Sequence, residues 1–379
     1  MNYNFSSKSI SFDFVAYHDL QAQAGESVFE AMSHHFNCRW LIGPNQKPTG
    51  AEAAIVLDHT QHQPQILKGK DSYKYLFYMS HDLGDINVYE IEKYRLTNFN
   101  IIFVPGPLHL KFAQQAFKFN FAQSYSDATR VILEAGWPKY DHLDIPEQYQ
   151  ILKNEIANLP YEHTVIYAPT RSLREWQDIL PLICKLKCNL IIKNPIYVNP
   201  GDPFPPGLEE EYKNSLASAQ EMEDYIRSYQ LPNLIVAPRK LNICTLFPFA
   251  DVLISDQSSV NIEFLPFGIS IETGRYDENP NHLNPQSCLI SDSVIFMRLQ
   301  EIQSILSSET SLANFVGENA NKKIDNPIIR PEIKNSGQLI TMSIDKYLAF
   351  WQIFNSSLQR HSLFTSMTEN LHNTLIDSL

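Results

Sequence analysis

Residues 251–271 read DVLISDQSSVNIEFLPFGISI. Residues 251–255 have the branching and length of a strand. Residues 255–259 are hydroxyls, an acid and an amide. From Val260 towards Gly268 the composition suits a helix, and 269–271 is strand-like again. Strand, helix and strand in succession is the unit of a parallel sheet, because parallel neighbours need a crossover to carry the chain back to the starting edge.

The same alternation runs outward from this stretch. In the second half of the chain, 164–168 (TVIYA), 189–193 (NLIIK) and 234–237 (LIVA) are short apolar runs. In the first half the matching runs are 10–17 (ISFDFVAY), 38–43 (CRWLIG), 53–57 (AAIVL), 75–79 (YLFYM), 100–104 (NIIFV) and 130–133 (RVIL). Helical spacing falls between several of them, as in Gln21 to Phe36 and in 108–118 (LHLKFAQQAFK). Continuous short apolar runs mark strands buried on both faces, as in parallel sheets covered by helices.

The segment 144–163 (DIPEQYQILKNEIANLPYEH) is polar, carries prolines near its ends and separates the two series. Residues 199–212 (NPGDPFPPGLEEEY) hold four prolines and are expected to be a loop. In 338–358, Ile340, Ile344, Leu348, Trp351 and Phe354 recur at helical spacing and predict a helix that packs on a body. The fold class expected is therefore α/β: two Rossmann-like domains with parallel sheets facing one central cleft. The N-terminal domain is expected over 1–147 and the C-terminal domain over 148–335. A helical segment, 336–379, is expected to pack back on the N-terminal domain.

Composition narrows the function classes. The chain has 379 residues, 44% of them hydrophobic and only 19% charged, so it can bury large cores. The net charge of −12 argues against nucleic-acid partners, which require basic surface to release counterions. The five cysteines, Cys38, Cys184, Cys188, Cys244 and Cys288, form no CxxC and are odd in number. They read as free thiols in a reducing, cytoplasmic setting, with Cys184 and Cys188 on one face if helical. The N-terminus MNYNFSSKSISF lacks the basic and apolar regions of a signal peptide, and no run approaches the ~18 apolar residues of a membrane span.

Several motifs are missing. No two of the thirteen glycines are close enough for GxGxxG, and no pair has the spacing of GxxxxGK[ST]. There is no HExxH, no GxSxG and no pair of aspartates two apart. No cofactor and no metal site is expected.

In open parallel sheets, ligands sit at the carboxyl ends of the strands, so the residues after each apolar run deserve inspection. Asp256, Ser258 and Ser259 follow the run at 251–255, where free N–H groups would suit phosphate; plain helix capping explains them as well. Thr170 and Arg171 follow Pro169, and the Arg171 guanidinium can fork onto phosphate; a surface turn is the alternative. Lys193 and Asn194 end another run and offer a cation and an amide; a strand terminus is the alternative. His81 and Asp82 follow 75–79, and a histidine beside a carboxylate can serve as a general base; a turn histidine is the alternative. His18-Asp19 after the first run is a weaker case of the same kind. Residues 67–77 (LKGKDSYKYLF) set lysines beside aromatics and fit either a membrane contact or an exposed lead-in to a strand.

Taken in order, these pieces resemble the CDP-glycerol glycerophosphotransferase family of teichoic-acid and capsule-polymer enzymes. The matching elements are His81, then Gly136-Trp137-Pro138-Lys139-Tyr140-Asp141, then Tyr167-Ala168-Pro169-Thr170, then Lys193-Asn194-Pro195. The last and most specific is Ser255-Asp256-Gln257-Ser258-Ser259-Val260-Asn261-Ile262-Glu263-Phe264. The resemblance covers residues 75 to 280. It implies a fold of the GT-B type with the donor held mainly by the second domain. The activity implied is transfer of glycerol phosphate from CDP-glycerol to a lipid-linked or polymeric glycan acceptor at the cytoplasmic face of the inner membrane. His81 would be the catalytic base, with Asp82 beside it; Thr170, Ser258 and Ser259 would bind the donor phosphates, and Asp256 would shape their loop.

The sequence also departs from the family. Asp82 stands where glycine follows the histidine, Asn194 where a second histidine precedes proline, Ser172 in place of an arginine, and Gln257 in place of an aromatic. These departures bear on donor identity. They leave two other readings: a glycosyltransferase using a nucleotide sugar, and a non-catalytic scaffold of a polymer-assembly complex.

Overall fold

The computed structural model describes residues 10–43, 45–57, 63, 65–66, 73–83, 96, 98–120, 131–169, 176–185, 187–194, 209–229, 231–256, 258–273, 294–319 and 335–356. The chain divides into two compact units. Unit 1 is Met1–Asp82, Ile86–Asp141 and Pro327–Leu379; unit 2 is Leu83–Asp85 and His142–Asn326. Each is built on a six-stranded sheet in which every pairing is parallel.

In unit 1 the strands are β1 (Ser11–Ala16), β2 (Asn37–Ile42), β3 (Ala53–Val56), β4 (Tyr75–Met79), β5 (Ile101–Val104) and β6 (Val131–Glu134), in the order β2-β1-β3-β4-β5-β6. The central strands β3, β4 and β5 are buried at every position, as their unbroken apolar runs require. Edge strand β2 is half open to solvent along its length. The stretch expected as one helix from Gln21 is two: α1 (Asp19–Ala24) and α2 (Glu26–Ser33), broken at Gly25. A Cβ on Gly25 would fall 2.6 Å from Leu57, so the glycine permits close packing at the break. Helix α3 (Pro107–Asn120) contributes Ala113 to a core of Val15, Val56, Tyr78, Phe99 and Ile102.

Near the amino end of β1 a fully buried carboxylate, Asp13, takes Arg39 Nε at 2.6 Å, Tyr73 Oη at 2.6 Å and Thr49 Oγ1 at 2.7 Å. Burial of a charge is tolerated only with such pairing. Burial first, and then the bond to Asp13, push the Tyr73 hydroxyl well above its ordinary pKa.

In unit 2, 3-10 turns at Glu147–Tyr149 lead into α4 (Gln150–Ala157), so the polar segment is partly helical. The strands are β7 (Thr164–Tyr167), β8 (Asn189–Ile192), β9 (Leu234–Val236), β10 (Val252–Ser255), β11 (Ile269–Glu272) and β12 (Val294–Phe296), in the order β12-β11-β10-β7-β8-β9. Strand β12 has no counterpart among the apolar runs that mark the other strands. Its VIF run is three residues long, too short to stand out as a strand by periodicity. Around this sheet lie α5 (Trp176–Ile183), α6 (Glu209–Tyr229), α7 (Val260–Phe264), α8 (Leu299–Ile305) and α9 (Glu309–Asn319). Trp176, Leu180, Met222, Ile226, Ile302 and Leu312 pack from the helices onto Val165, Leu190, Val252 and Ile269.

Helix α6 begins at Glu209, inside the expected proline loop, because Glu209–Glu211 are good helix formers once the prolines are past. Cys184 lies in the turn after α5 and Cys188 just before β8, so they do not share a helix face. Among the described residues Cys38, Cys184, Cys188 and Cys244 are free thiols; Cys288 lies outside them.

The last helix among the described residues, α10 (Ser336–Ser356), packs on α2 of unit 1. Ile340, Ile344 and Leu348 are buried as their spacing predicted, and Tyr347 sets its ring against Tyr75 and Phe77 of β4. The side chains of Trp351 and Phe354 lie outside the described residues. The start of α10 is held by Asp141, whose carboxylate accepts from the main-chain N–H groups of Ser336 at 2.8 Å and Gly337 at 2.7 Å. A carboxylate on the free N–H groups of a first turn is an N-cap supplied from another part of the chain. Ser27 Oγ donates to the same carboxylate at 2.9 Å.

Candidate functional site

The strand orders place a switch point in each sheet. In unit 2 the chain first moves from β7 outward to β9, then returns to lay β10 on the other side of β7. The carboxyl ends of β7 and β10 therefore open side by side, the position where such sheets take ligands. Two of the sequence motifs meet there. Ser255 Oγ donates to the carbonyl of Ala168 at 2.7 Å, across 87 residues of chain, and Ala168 N–H donates to Ile254 at 2.9 Å. Thr170, Arg171 and Gln257, which complete the two motifs, lie outside the described residues, as do Pro195 and 67–72.

The loop after β10 is built from below. Asn261 is fully buried. Its amide nitrogen donates to the Asp256 carbonyl at 2.7 Å and its amide oxygen accepts from Ser270 Oγ at 2.8 Å. The loop is thus tied to β11 by a residue the sequence analysis did not single out. Its only signal was an asparagine, a poor helix former, inside an apolar helical run. Ser255 and Asp256 are buried, whereas Ser258 and Ser259 are half-exposed. Ser258 Oγ accepts from Val260 N–H at 3.4 Å. Ser259 is the N-cap residue of α7 and makes no side-chain cap bond. Helix α7 has five residues, shorter than the run towards Gly268 suggested. Pro266, which lacks an N–H, lies just past its end. The chain then turns through Gly268, where a Cβ would fall 2.5 Å from the Asp251 carbonyl.

Lys193 and Asn194, beyond the end of β8, turn inward. Lys193 Nζ donates to the carbonyls of Asn194 and Arg239, each at 2.8 Å. Asn194 is fully buried and its amide nitrogen donates to Glu223 Oε1 at 2.7 Å, an oxygen that also takes Arg239 Nη2 at 2.9 Å. The Asn194 amide oxygen is buried with no hydrogen-bond partner among the described residues. These two side chains tie the end of β8 to α6 and to the segment after β9, a tertiary arrangement that no local pattern announces.

In unit 1 the switch point lies between β1 and β3. His81 follows β4 and reaches back to it. Its Nδ1 lies 2.5 Å from the carbonyl of Leu57, just past β3, and its Nε2 lies 3.1 Å from the amide nitrogen of Gln21 on α1. The group on Nδ1 is thus a main-chain carbonyl. Asp82, the carboxylate next in sequence, is fixed through its own main chain: its N–H meets Ser80 Oγ at 3.2 Å and its carbonyl accepts from that hydroxyl at 2.7 Å. His18 is the N-cap of α1, its ring nitrogen accepting from Gln21 N–H at 3.3 Å, which gives it a structural task. Among the described residues no group of three or more His, Cys, Asp or Glu side chains is placed to hold a metal ion. No helix among them is long and apolar enough to cross a membrane.

No family model and no curated protein matches the chain at the sequence level. Solved structures do. The wall teichoic acid polymerase TagF is similar with a TM-score of 0.52 and 13% identity, over 91% of this chain and 90% of that one. The S. aureus MnaA–UDP co-structure is similar with a TM-score of 0.54 and 10% identity, over 90% and 97%. At these identities the likeness is one of fold. The chain therefore has the two-domain, parallel α/β fold of the GT-B type, the fold it shares with the wall teichoic acid polymerase TagF.

Proposed function

We propose that the chain is a transferase that moves glycerol phosphate, or a related polyol phosphate, from a CDP-activated donor to a hydroxyl of a surface polymer or lipid-linked glycan. The acceptor oxygen forms a bond to the phosphorus bearing the polyol. The bond from that phosphorus to the bridging oxygen breaks, and CMP leaves with the electron pair. The acceptor proton passes to His81 Nε2. Such a reaction is accelerated mainly by positioning and by stabilising charge on the phosphoryl oxygens. A lipid-linked acceptor would draw the chain to the cytoplasmic face of the inner membrane as a peripheral protein.

The observation that carries this reading is the meeting of the segments after β7 and β10 at the switch point of unit 2. Two half-exposed hydroxyls, Ser258 and Ser259, lie there on a loop fixed by Asn261. Thr170 and Arg171 complete the donor site in this proposal. Asp256 shapes the loop through its main chain, and Lys193 and Asn194 support the end of β8. The likeness to TagF, one of whose structures was soaked with CDPG, supports the donor class.

Asn194 in place of the family histidine favours a second reading, a glycosyltransferase using a nucleotide sugar. The test is turnover with CDP-glycerol, CDP-ribitol, CMP-sugars and UDP-sugars by wild type, His81→Ala and Ser258→Ala. CMP release from a CDP-polyol that falls by roughly 10²–10⁴ in His81→Ala supports the proposal. Turnover with nucleotide sugars alone selects the second reading, and binding of no donor leaves a scaffold role.

A further inference from the structure

The geometry around His81 points to Gln21 as the positioning residue of the base, a reading that rests on the proposed role of His81. The Leu57 carbonyl can only accept, so the hydrogen between it and Nδ1 belongs to the ring. In the neutral imidazole this leaves Nε2 with a lone pair. Gln21 then presents either its oxygen or its NH2 group to that lone pair. The Tyr17 N–H settles which, because it donates to Gln21 Oε1 at 2.6 Å and so turns the NH2 end towards the ring, 3.1 Å from Nε2. Every bond in the chain Tyr17 N–H, Gln21 amide, His81 ring, Leu57 carbonyl then runs from a donor to an acceptor. Reversing the amide, or moving the ring proton to Nε2, would set like against like at two contacts.

Gln21 itself is 4% exposed. Its main chain is fixed at the first turn of α1 by bonds from its N–H to the His18 carbonyl, 3.0 Å, and to the His18 ring, 3.3 Å. The amide thus has little freedom to rotate away. The consequence is a single neutral tautomer with its lone pair on Nε2, the nitrogen a base needs. An acceptor hydroxyl binds that lone pair as a donor, the same sense of bond that Gln21 makes, and replaces it there without any change of tautomer.

The experiment uses the full chain with 15N-labelled histidine. The His81 signals are assigned by their loss in His81→Gln, and the ring tautomer is read from the 15N shifts and couplings. Wild type is expected to carry the proton on Nδ1. Gln21→Met, of similar volume and without a donor, removes one of the two contacts that fix the tautomer and is expected to admit the Nε2–H form only in part, because the Leu57 carbonyl still favours the proton on Nδ1. Gln21→Glu, which accepts where glutamine donates, is expected to draw a second proton onto Nε2 while the Leu57 carbonyl keeps the first on Nδ1, so that the ring reads as doubly protonated. Should Gln21→Met fail to fold, Gln21→Glu carries the same reading. With the donor that wild type turns over, both variants are expected to lose about tenfold or more in kcat with KM within twofold. A wild-type proton on Nε2, or variants that keep the wild-type tautomer and kcat, would overturn the inference. The failure of the base reading looks different: His81→Ala keeps wild-type turnover while the tautomer in wild type still follows Gln21.

Discussion

At the scale of single residues, the most informative side chains are those whose neighbours come from distant parts of the chain. His81 was legible as a candidate because a histidine after an apolar run lies at the carboxyl edge of a parallel sheet. Its orienting partners were not legible. One is the carbonyl of Leu57, which every residue possesses, and the other is Gln21, sixty positions away. Asn194 was legible as an amide at the end of a strand, but the contact of its amide nitrogen with Glu223 of α6 was not. Cysteine burial gives a residue-scale prediction. Burial pushes the Cys188 thiol from 9.0 up to about 12. Raising the folded-state value favours the neutral thiol, so the stabilisation is complete below the unfolded value and is lost as pH rises through 9.0 towards 12. Over that window wild type is expected to lose stability more steeply with pH than Cys188→Ala, by up to one proton's slope. Urea denaturation at a series of alkaline pH values checks this, and equal slopes would refute it.

At the scale of elements, sequence periodicity located nearly every strand because a strand buried on both faces must be apolar throughout. It failed where local composition was ambiguous, as at β12, and where a break depends on packing, as at Gly25 between α1 and α2. The docking of α10 on α2 shows what a close approach demands. A Cβ on Gly337 would fall 2.5 Å from the Ser27 carbonyl, a main-chain atom that cannot step aside. On a free helix Gly→Ala stabilises by about 1 kcal/mol. Here the clash is expected to reverse the sign, with Gly337→Ala destabilising by about 1–3 kcal/mol, the usual range for overpacking. The midpoint of urea unfolding measures it, and a stabilised variant would show that α10 is not docked through this contact.

At the scale of the whole molecule, each unit has its own sheet and core, and α10 belongs to unit 1 although it follows unit 2 in sequence. Ile340, Ile344 and Leu348 contribute about 1.5–3 kcal/mol each by burial, a sum comparable to the roughly 5–15 kcal/mol that keeps a domain folded. A chain ending at residue 335 is therefore expected to lose protection from hydrogen exchange across α1, α2 and β1, while β7, β8 and β10 keep theirs. Equal loss in both units would show that α10 supports them jointly. The sequence by itself determined the alternation of strands and helices, the division into two series, the helical face of α10 and the motif residues at strand ends. All of these rest on local spacing and composition, which a linear reading captures. Tertiary structure alone decided the order of strands, and with it the switch points that bring Ala168 beside Ser255 and His81 back to Leu57 and Gln21. It decided too that Asp141 caps a helix far along the chain. Those contacts arise from how crossovers lay each strand beside its neighbours, and a run of apolar residues does not record on which side of the sheet its strand will be placed.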